Sequence, residues 1–171
     1  IGDYDYFVIN LGAFAIPFSL LCSLLLINSF NYFDGMDGTL VFSTISVIFI
    51  LLFLNDDFEI KFYLMLIIIP LVIFLFFNFS IFKMPKLFLG DGGSLLIGFI
   101  ISFSLIYFAK IKIAHPILLA WSVSIFVYEF LSINIIRLKR NKNLFEPGKD
   151  HLHHVLFKKY NSILFVNLFI F

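Results

Sequence analysis

The segment FYLMLIIIPLVIFLFFNFSIF, residues 62–82, contains no charged side chain in 21 consecutive positions. An α-helix needs about 20 mostly apolar residues to cross the hydrocarbon core of a bilayer. A helix also satisfies its own backbone hydrogen bonds, which lipid cannot do. The segment therefore predicts a membrane-spanning helix.

The apolar pattern recurs along the chain. Hydrophobic residues make up 61% and charged residues 13% of the 171 positions, whereas soluble domains are roughly half apolar and a quarter charged. Four further full spans are predicted at residues 7–27, 39–54, 94–109 and 113–136. A sixth segment begins near Leu156 and continues to the end of the sequence. The sequence therefore predicts one all-α domain over residues 1–171, a multi-pass transmembrane helix bundle with five full spans and a truncated sixth.

The ends of the sequence and its single cysteine carry further information. The chain begins with Ile1 rather than Met and ends inside an apolar run, so we expect a fragment of a longer protein. Cys22 is the one cysteine, which excludes a disulfide framework and a cysteine-based metal site.

The predicted spans divide the loops between two sides of the membrane. Residues 28–38, 83–94 and 137–155 fall on one side, and residues 55–61 and 110–112 fall on the other. Counted through Lys159, the first side carries nine of the twelve Lys and Arg residues, seven of them between Arg137 and Lys159. Because cytoplasmic loops are enriched in Lys and Arg, we expect the first side to face the cytoplasm.

Four polar residues recur every three positions in NSFNYFDGMDG, residues 28–38: Asn28, Asn31, Asp34 and Asp37. On a helix they would form one polar stripe at the end of a span, and such a stripe must face water, protein or ligand. A helix cap at Asp37 with turns at Gly35 and Gly38 would explain one acid and the glycines. It leaves the other polar residues unexplained, which favours a functional site.

The segment FLGDGGS, residues 88–94, enters the fourth span. Its glycines allow close backbone approach, and the N–H groups at a helix N-terminus can bind an anion. Asp91 would repel a phosphate there unless a hard divalent cation such as Mg²⁺ joins the two. A simple capping role for Asp91 explains the segment equally well.

The third cluster, DHLHH at residues 150–154, follows a basic run at residues 137–142. The spacing of the three histidines matches no standard zinc pattern, and the sequence contains no second cluster of Cys or His. Contact with a diphosphate suits the histidines beside so many cations. The basic run also suits an anchor on anionic lipid, and a solvated loop is the alternative for the histidines.

Other polar residues are less informative. Asp56 and Asp57 fall in a solvated loop on the opposite side, and His115 lies at a span entrance there. Glu129 lies within the fifth predicted span, where an acid is functional by default, although a pair with Arg137 would also explain it.

Together the three segments resemble the polyprenyl-phosphate N-acetylhexosamine-1-phosphate transferases. That family carries the patterns N-x-x-N-x-x-D-G-x-D-G and F-M-G-D-x-G-S, followed by a basic loop that ends in H-x-H-H. Order and spacing agree along essentially the whole chain. The H-x-H-H form is similar to the bacterial branch that starts O-antigen, enterobacterial common antigen or teichoic acid linkage units.

The resemblance implies that undecaprenyl phosphate attacks the β-phosphorus of a UDP-N-acetylhexosamine, with GlcNAc as the expected sugar, and that UMP is released. It implies Mg²⁺, or Mn²⁺ in its place, no nucleic-acid partner, and an active site on the cytoplasmic side of the inner membrane. Asp91 is the implied metal ligand. The implied catalytic residues are Asp91, Asp34, Asp37, His151 and His153. The implied substrate-binding residues are Asn28, Asn31, Phe88, which would stack on uracil, His154 and Arg140.

The sequence departs from the family in three places. A paired-aspartate motif is missing and is expected upstream of Ile1, in the N-terminal half of the same protein. Glu129 stands where the family often has Asp, and Leu144 and Phe145 replace a usual Pro-Phe. We therefore expect the isolated chain to be inactive. The alternatives are a transporter or channel, which would place polar residues near mid-span, and a membrane protein whose histidines bind a metal.

Overall fold

The computed structural model describes residues 11–141 and 151–170, and in these residues every regular element is helical. Leu144, Phe145 and Asp150 lie outside the described residues, as do the first positions of the predicted first span. Two short 3₁₀ turns are present, at Gly12–Phe14 and Ile81–Lys83. The α-helices are α1 (Ala15–Phe33), α2 (Thr39–Leu54), α3 (Phe58–Asn78), α4 (Gly90–Lys110), α5 (Pro116–Ser122), α6 (Ser124–Lys139), α7 (Leu152–Tyr160) and α8 (Ile163–Ile170).

Three helical segments are long and apolar enough to cross a membrane: Gly12–Phe33, Phe58–Asn78 and Gly90–Lys110. The pair α5 and α6 makes a fourth if its two parts form one span. Helix α2 is apolar but has only 16 residues. The all-helical membrane fold is confirmed, whereas the five full spans and a sixth are not reproduced.

The predicted fifth span, residues 113–136, is broken. Helices α5 and α6 meet at Val123 with a bend of 64°. Ser122 donates its hydroxyl hydrogen to the carbonyl oxygen of Leu119 at 2.7 Å. Such bonds from Ser to the preceding turn compete with the helical ladder and bend helices.

The predicted sixth span is also broken. Helix α7 ends at Asn161, which adopts a left-handed conformation with φ 51°. Asn tolerates that conformation and commonly ends a helix. Helix α8 then begins at Ile163, so residues 156–170 form two short helices rather than one continuous one.

Helices α1 and α4 pack closely at Gly98. A Cβ atom at Gly98 would lie 3.0 Å from the Cα atom of Ile27 and 3.1 Å from the Cβ atom of Phe30. Small residues allow such close approach between membrane helices. Phe30 also stacks on Phe126 of α6, with ring centroids 4.1 Å apart and both side chains fully buried. This packing places the end of α1 beside the beginning of α4.

The two ends of the bundle differ in chemistry. At one end, the Tyr63 hydroxyl lies 3.0 Å from the Ser104 hydroxyl, and Asp57 caps α3 by accepting the backbone N–H groups of Glu59 and Ile60. The described parts of all three sequence motifs meet at the other end. That this end faces the cytoplasm stays a prediction.

Candidate active site

Asn31 joins the first two motifs. It lies in the last turn of α1, and its side-chain amide donates to Asp91 Oδ1 at 3.2 Å and to Ser94 Oγ at 2.8 Å. Ser94 is fully buried. The close packing of α1 and α4 therefore sets the position of the Asp91 carboxylate.

The predicted helical stripe covers only Asn28 and Asn31. Helix α1 ends at Phe33, because the chain turns at Asp34, whose N–H bonds to the Asn31 carbonyl oxygen at 3.3 Å. Asp37 lies beyond that turn, outside any helix. Asn28 donates its amide to the Leu24 carbonyl oxygen of its own helix at 2.7 Å.

Neither Asp37 nor Asp91 acts as a helix cap. The residue that precedes α2 is Gly38, with φ 75°, and the residue that precedes α4 is Leu89. Neither of these two residues makes a side-chain capping bond. The capping explanation of both aspartates therefore fails, and the first turn of α4 keeps the character of an anion site.

The charges of the other two aspartates act on Asp34. Burial raises the pKa of Asp34 to about 6, and the negative charges of Asp91 and then Asp37 add to the shift. A carboxyl group whose pKa is raised by neighbouring carboxylates lies in a site that favours a cation. One or two carboxylates are also what Mg²⁺ commonly takes from a protein, so these residues fit the implied ion.

Lys86 and Asn167 hold Asp37, and sequence reasoning missed both. Lys86 Nζ lies 2.6 Å from the Asp37 carboxylate. Asn167 of α8 donates to the Asp37 carbonyl oxygen at 2.8 Å and accepts the Thr39 hydroxyl at 2.8 Å. An amide inside an apolar run is costly in lipid, and that signal could have identified Asn167.

Phe88 and Arg140 lie at the surface of this end. The Phe88 side chain is 73% exposed, and Lys86 Nζ lies 5.1 Å from the centre of its ring. Arg140 follows the last turn of α6 and is exposed.

His153 packs directly on the turn of the first motif. It has no exposed surface, and a Cβ atom at Gly35 would lie 2.1 Å from its Nε2 atom. Burial lowers the pKa of His153 to about 3, with added effects from His154 and His151. The imidazole of His153 is therefore neutral and enclosed. His154 beside it is partly exposed.

Glu129 connects α6 to the histidines. Its Oε1 atom accepts the Leu152 N–H at 2.9 Å and lies 3.3 Å from His151 Nδ1. Within the described residues, Glu129, His151 and His153 each offer a ligand atom, and these atoms lie within 4.8 Å of one another. The sequence spacing of the histidines could not show this group, since its third member comes from a distant helix.

The chain is similar to curated bacterial proteins. It is 29% identical over 155 residues to the undecaprenyl-phosphate alpha-N-acetylglucosaminyl 1-phosphate transferase of Yersinia pestis. It is 28% identical over 158 residues to the protein of the same name from Escherichia coli strain K12. Each alignment covers 86% of this chain and 42% of the relative. The chain thus spans about two fifths of the length of these relatives.

A third relative matches a shorter part of the chain. A Pasteurella multocida protein of the same name is 33% identical over 75 residues, which is 43% of this chain and 21% of that protein. No solved structure matches the chain. The sequence model of glycosyl transferase family 4 matches residues 3–109, more than half of the chain. The resemblance found in the three motifs is thereby confirmed, and the chain belongs to glycosyl transferase family 4.

Proposed function

We propose that the whole protein transfers N-acetylglucosamine-1-phosphate from UDP-N-acetylglucosamine to undecaprenyl phosphate and releases UMP. The product would start a cell-envelope polysaccharide such as O-antigen, on the cytoplasmic side of the inner membrane. One observation carries the proposal: Asn31 joins the first two motifs at the Asp91 carboxylate, beside Asp34 and Asp37. The names of the relatives agree with this reaction.

The aspartates form the proposed ion site. Asp91 would hold Mg²⁺, or Mn²⁺ in its place, with Asp34 beside it. When bound, the ion neutralises the donor diphosphate and polarises its phosphorus. Asn31 fixes the orientation of Asp91, because one amide group contacts both Asp91 and Ser94. Asp37 and Lys86 tie the loop before α4 to the turn after α1.

The donor would bind along the exposed rim of this end, with Asn28 at its wall. The exposed ring of Phe88 suits stacking on uracil. Arg140 and His154 suit contact with the diphosphate, since both reach the surface. His153 is enclosed, so we assign His151 and His153 to holding the rim in position rather than to direct contact.

A transporter or channel has less support. An ion path requires polar groups at mid-span that face the path. The buried Ser43 and Thr44 of α2 instead donate to carbonyl oxygens of their own helix, at 2.9 and 2.8 Å.

The reaction is tested with the full-length protein in detergent, by measuring UMP release from UDP-N-acetylglucosamine. We expect release only when undecaprenyl phosphate and Mg²⁺ are both present. UMP release that is unchanged after removal of divalent ions by chelation, or without the lipid phosphate, would contradict the proposal.

A further inference from the structure

Within the part of the chain that the structure describes, several buried polar atoms without hydrogen-bond partners lie together where α6 meets the histidine segment. They are Glu129 Oε2, His151 Nδ1, and both ring nitrogens of His153. The Glu129 side chain is 4% exposed and the His151 side chain 12% exposed. Buried polar atoms in folded proteins are almost always hydrogen-bonded, so this concentration requires an explanation.

Pairing within the group cannot satisfy these atoms. Glu129 Oε1 already accepts the Leu152 N–H. A hydrogen bond from His151 Nδ1 to that same oxygen, 3.3 Å away, would use one of the His151 nitrogens. Glu129 Oε2 and both nitrogens of His153 would remain without partners. The surroundings include the rings of Tyr32 and Phe33, whose faces offer no strong donor or acceptor.

We propose that Glu129, His151 and His153 bind a zinc-class divalent ion at a site separate from the Asp91 site. Two imidazoles and one carboxylate form a ligand set that zinc takes in proteins. Imidazole nitrogen suits Zn²⁺ and its neighbours, whereas Mg²⁺ prefers oxygen. The fourth ligand would be a water molecule.

The geometry requires only a small closure. The three ligand atoms lie within 4.8 Å of one another. In a tetrahedral site with bonds of about 2.0–2.1 Å, ligand atoms are roughly 3.4 Å apart. Zinc binding would therefore draw the three ligand atoms closer together.

The position of the site gives the ion a structural role. Glu129 belongs to α6, the histidines begin α7, and His153 lies against Gly35 in the turn between Asp34 and Asp37. One ion would therefore fix the histidine segment to α6 and support the aspartate turn. This role does not depend on the proposed transferase reaction.

The test measures bound zinc in the full-length protein, purified without a histidine tag and washed with excess Mg²⁺. We expect about one zinc ion per chain in the wild type, and at least about a tenfold loss in Glu129→Gln. Glu59→Gln is the matched control, because Glu59 lies in the first turn of α3 at the opposite end of the bundle. It should keep its zinc. A wild type that holds no zinc after incubation with Zn²⁺ would overturn the proposal, as would equal zinc in both variants.

A second measurement needs no variant, which matters if Glu129→Gln does not fold. X-ray absorption of the zinc-loaded wild type should show two imidazole ligands. A shell of oxygen atoms alone would overturn the site and place the ion at the aspartates. UMP release is measured on the same samples, so active protein without zinc would reject this site and leave the proposed reaction intact.

Discussion

Asp34 has a pKa of about 6 because it is buried beside Asp91 and Asp37. The ordinary value is 3.8, so between these values the folded protein binds more protons than the unfolded chain. The contribution of Asp34 to stability is therefore present at low pH and is lost as pH rises through about 6. Without divalent ions, we expect the melting temperature of the full-length protein to fall as pH rises through about 6. The melting temperature of the Asp34→Asn variant should fall less.

Addition of Mg²⁺ should reverse that fall in the wild type, because a bound cation stabilises the ionised carboxylates. Thermal melts at pH 4 to 7, with and without Mg²⁺, check both statements. Parallel pH profiles for the wild type and Asp34→Asn would contradict the assignment of this carboxyl to the cluster.

Gly35 has no room for a side chain. A Cβ atom there would meet His153 Nε2 at 2.1 Å, whereas a Cβ atom at Gly92 would meet nothing within 4 Å. We expect Gly35→Ala to destabilise the protein by about 1–3 kcal/mol. Gly92→Ala should be neutral or stabilising, since Ala favours a helix over Gly by about 1 kcal/mol. Thermal melting of the two variants tests this difference. Equal melting temperatures would contradict the close contact between Gly35 and His153.

The sequence identified the polar residues of the site but not their partners. Asn31 and Asp91 could be recognised from residue type and spacing, because amides and acids at the end of a span are costly without a role. The bond from Asn31 to Ser94 joins residues 63 positions apart, and no local pattern reports such a contact. The position of Glu129 inside an apolar span likewise predicted a function, but it did not show that the histidines are its partners.

At the scale of helices, the apolar pattern located segments but not their breaks. Residues 113–136 are apolar almost throughout, and a segment surrounded by lipid or protein needs no amphipathic period. The bend at Val123 coincides with a serine bond to the preceding turn, and α7 is followed by a left-handed residue, Asn161. Both are local features that hydropathy does not report.

The contact between α1 and α4 gives a prediction at this scale. Gly98→Leu would force the new side chain into the backbone of Ile27. We therefore expect α1 and α4 to move apart and the substitution to destabilise the protein by about 1–3 kcal/mol. The Mg²⁺ concentration needed for half-maximal UMP release should rise, because Asn31 would no longer hold Asp91.

Phe99→Leu is the matched control on the same helix. The Phe99 side chain is 55% exposed, so its replacement by Leu should change the Mg²⁺ requirement little. Titrations of UMP release against Mg²⁺ compare the two variants. The same Mg²⁺ requirement in Gly98→Leu as in the wild type would contradict the role given to this contact.

At the scale of the whole molecule, the chain matches about two fifths of its relatives. The aspartates after α1 and at the start of α4, with the histidines at the start of α7, would form one wall of the proposed cleft. The rest of the relatives' length has no counterpart in these residues. We therefore expect no UMP release from the isolated 171-residue chain, and turnover by that purified chain would contradict this division of the active site.

The central claim is that Asp91, held by Asn31, binds the divalent ion required for transfer. The most direct test compares UMP release by full-length Asp91→Asn and Asp56→Asn at saturating Mg²⁺. We expect Asp91→Asn to lower the rate of UMP release by more than about 100-fold. Loss of even an outer partner of a metal ligand typically lowers metal affinity or activity by about 10- to 100-fold. Asp56→Asn alters an exposed pair with Lys61 at the opposite end and should keep its activity. Full activity of Asp91→Asn would contradict the account.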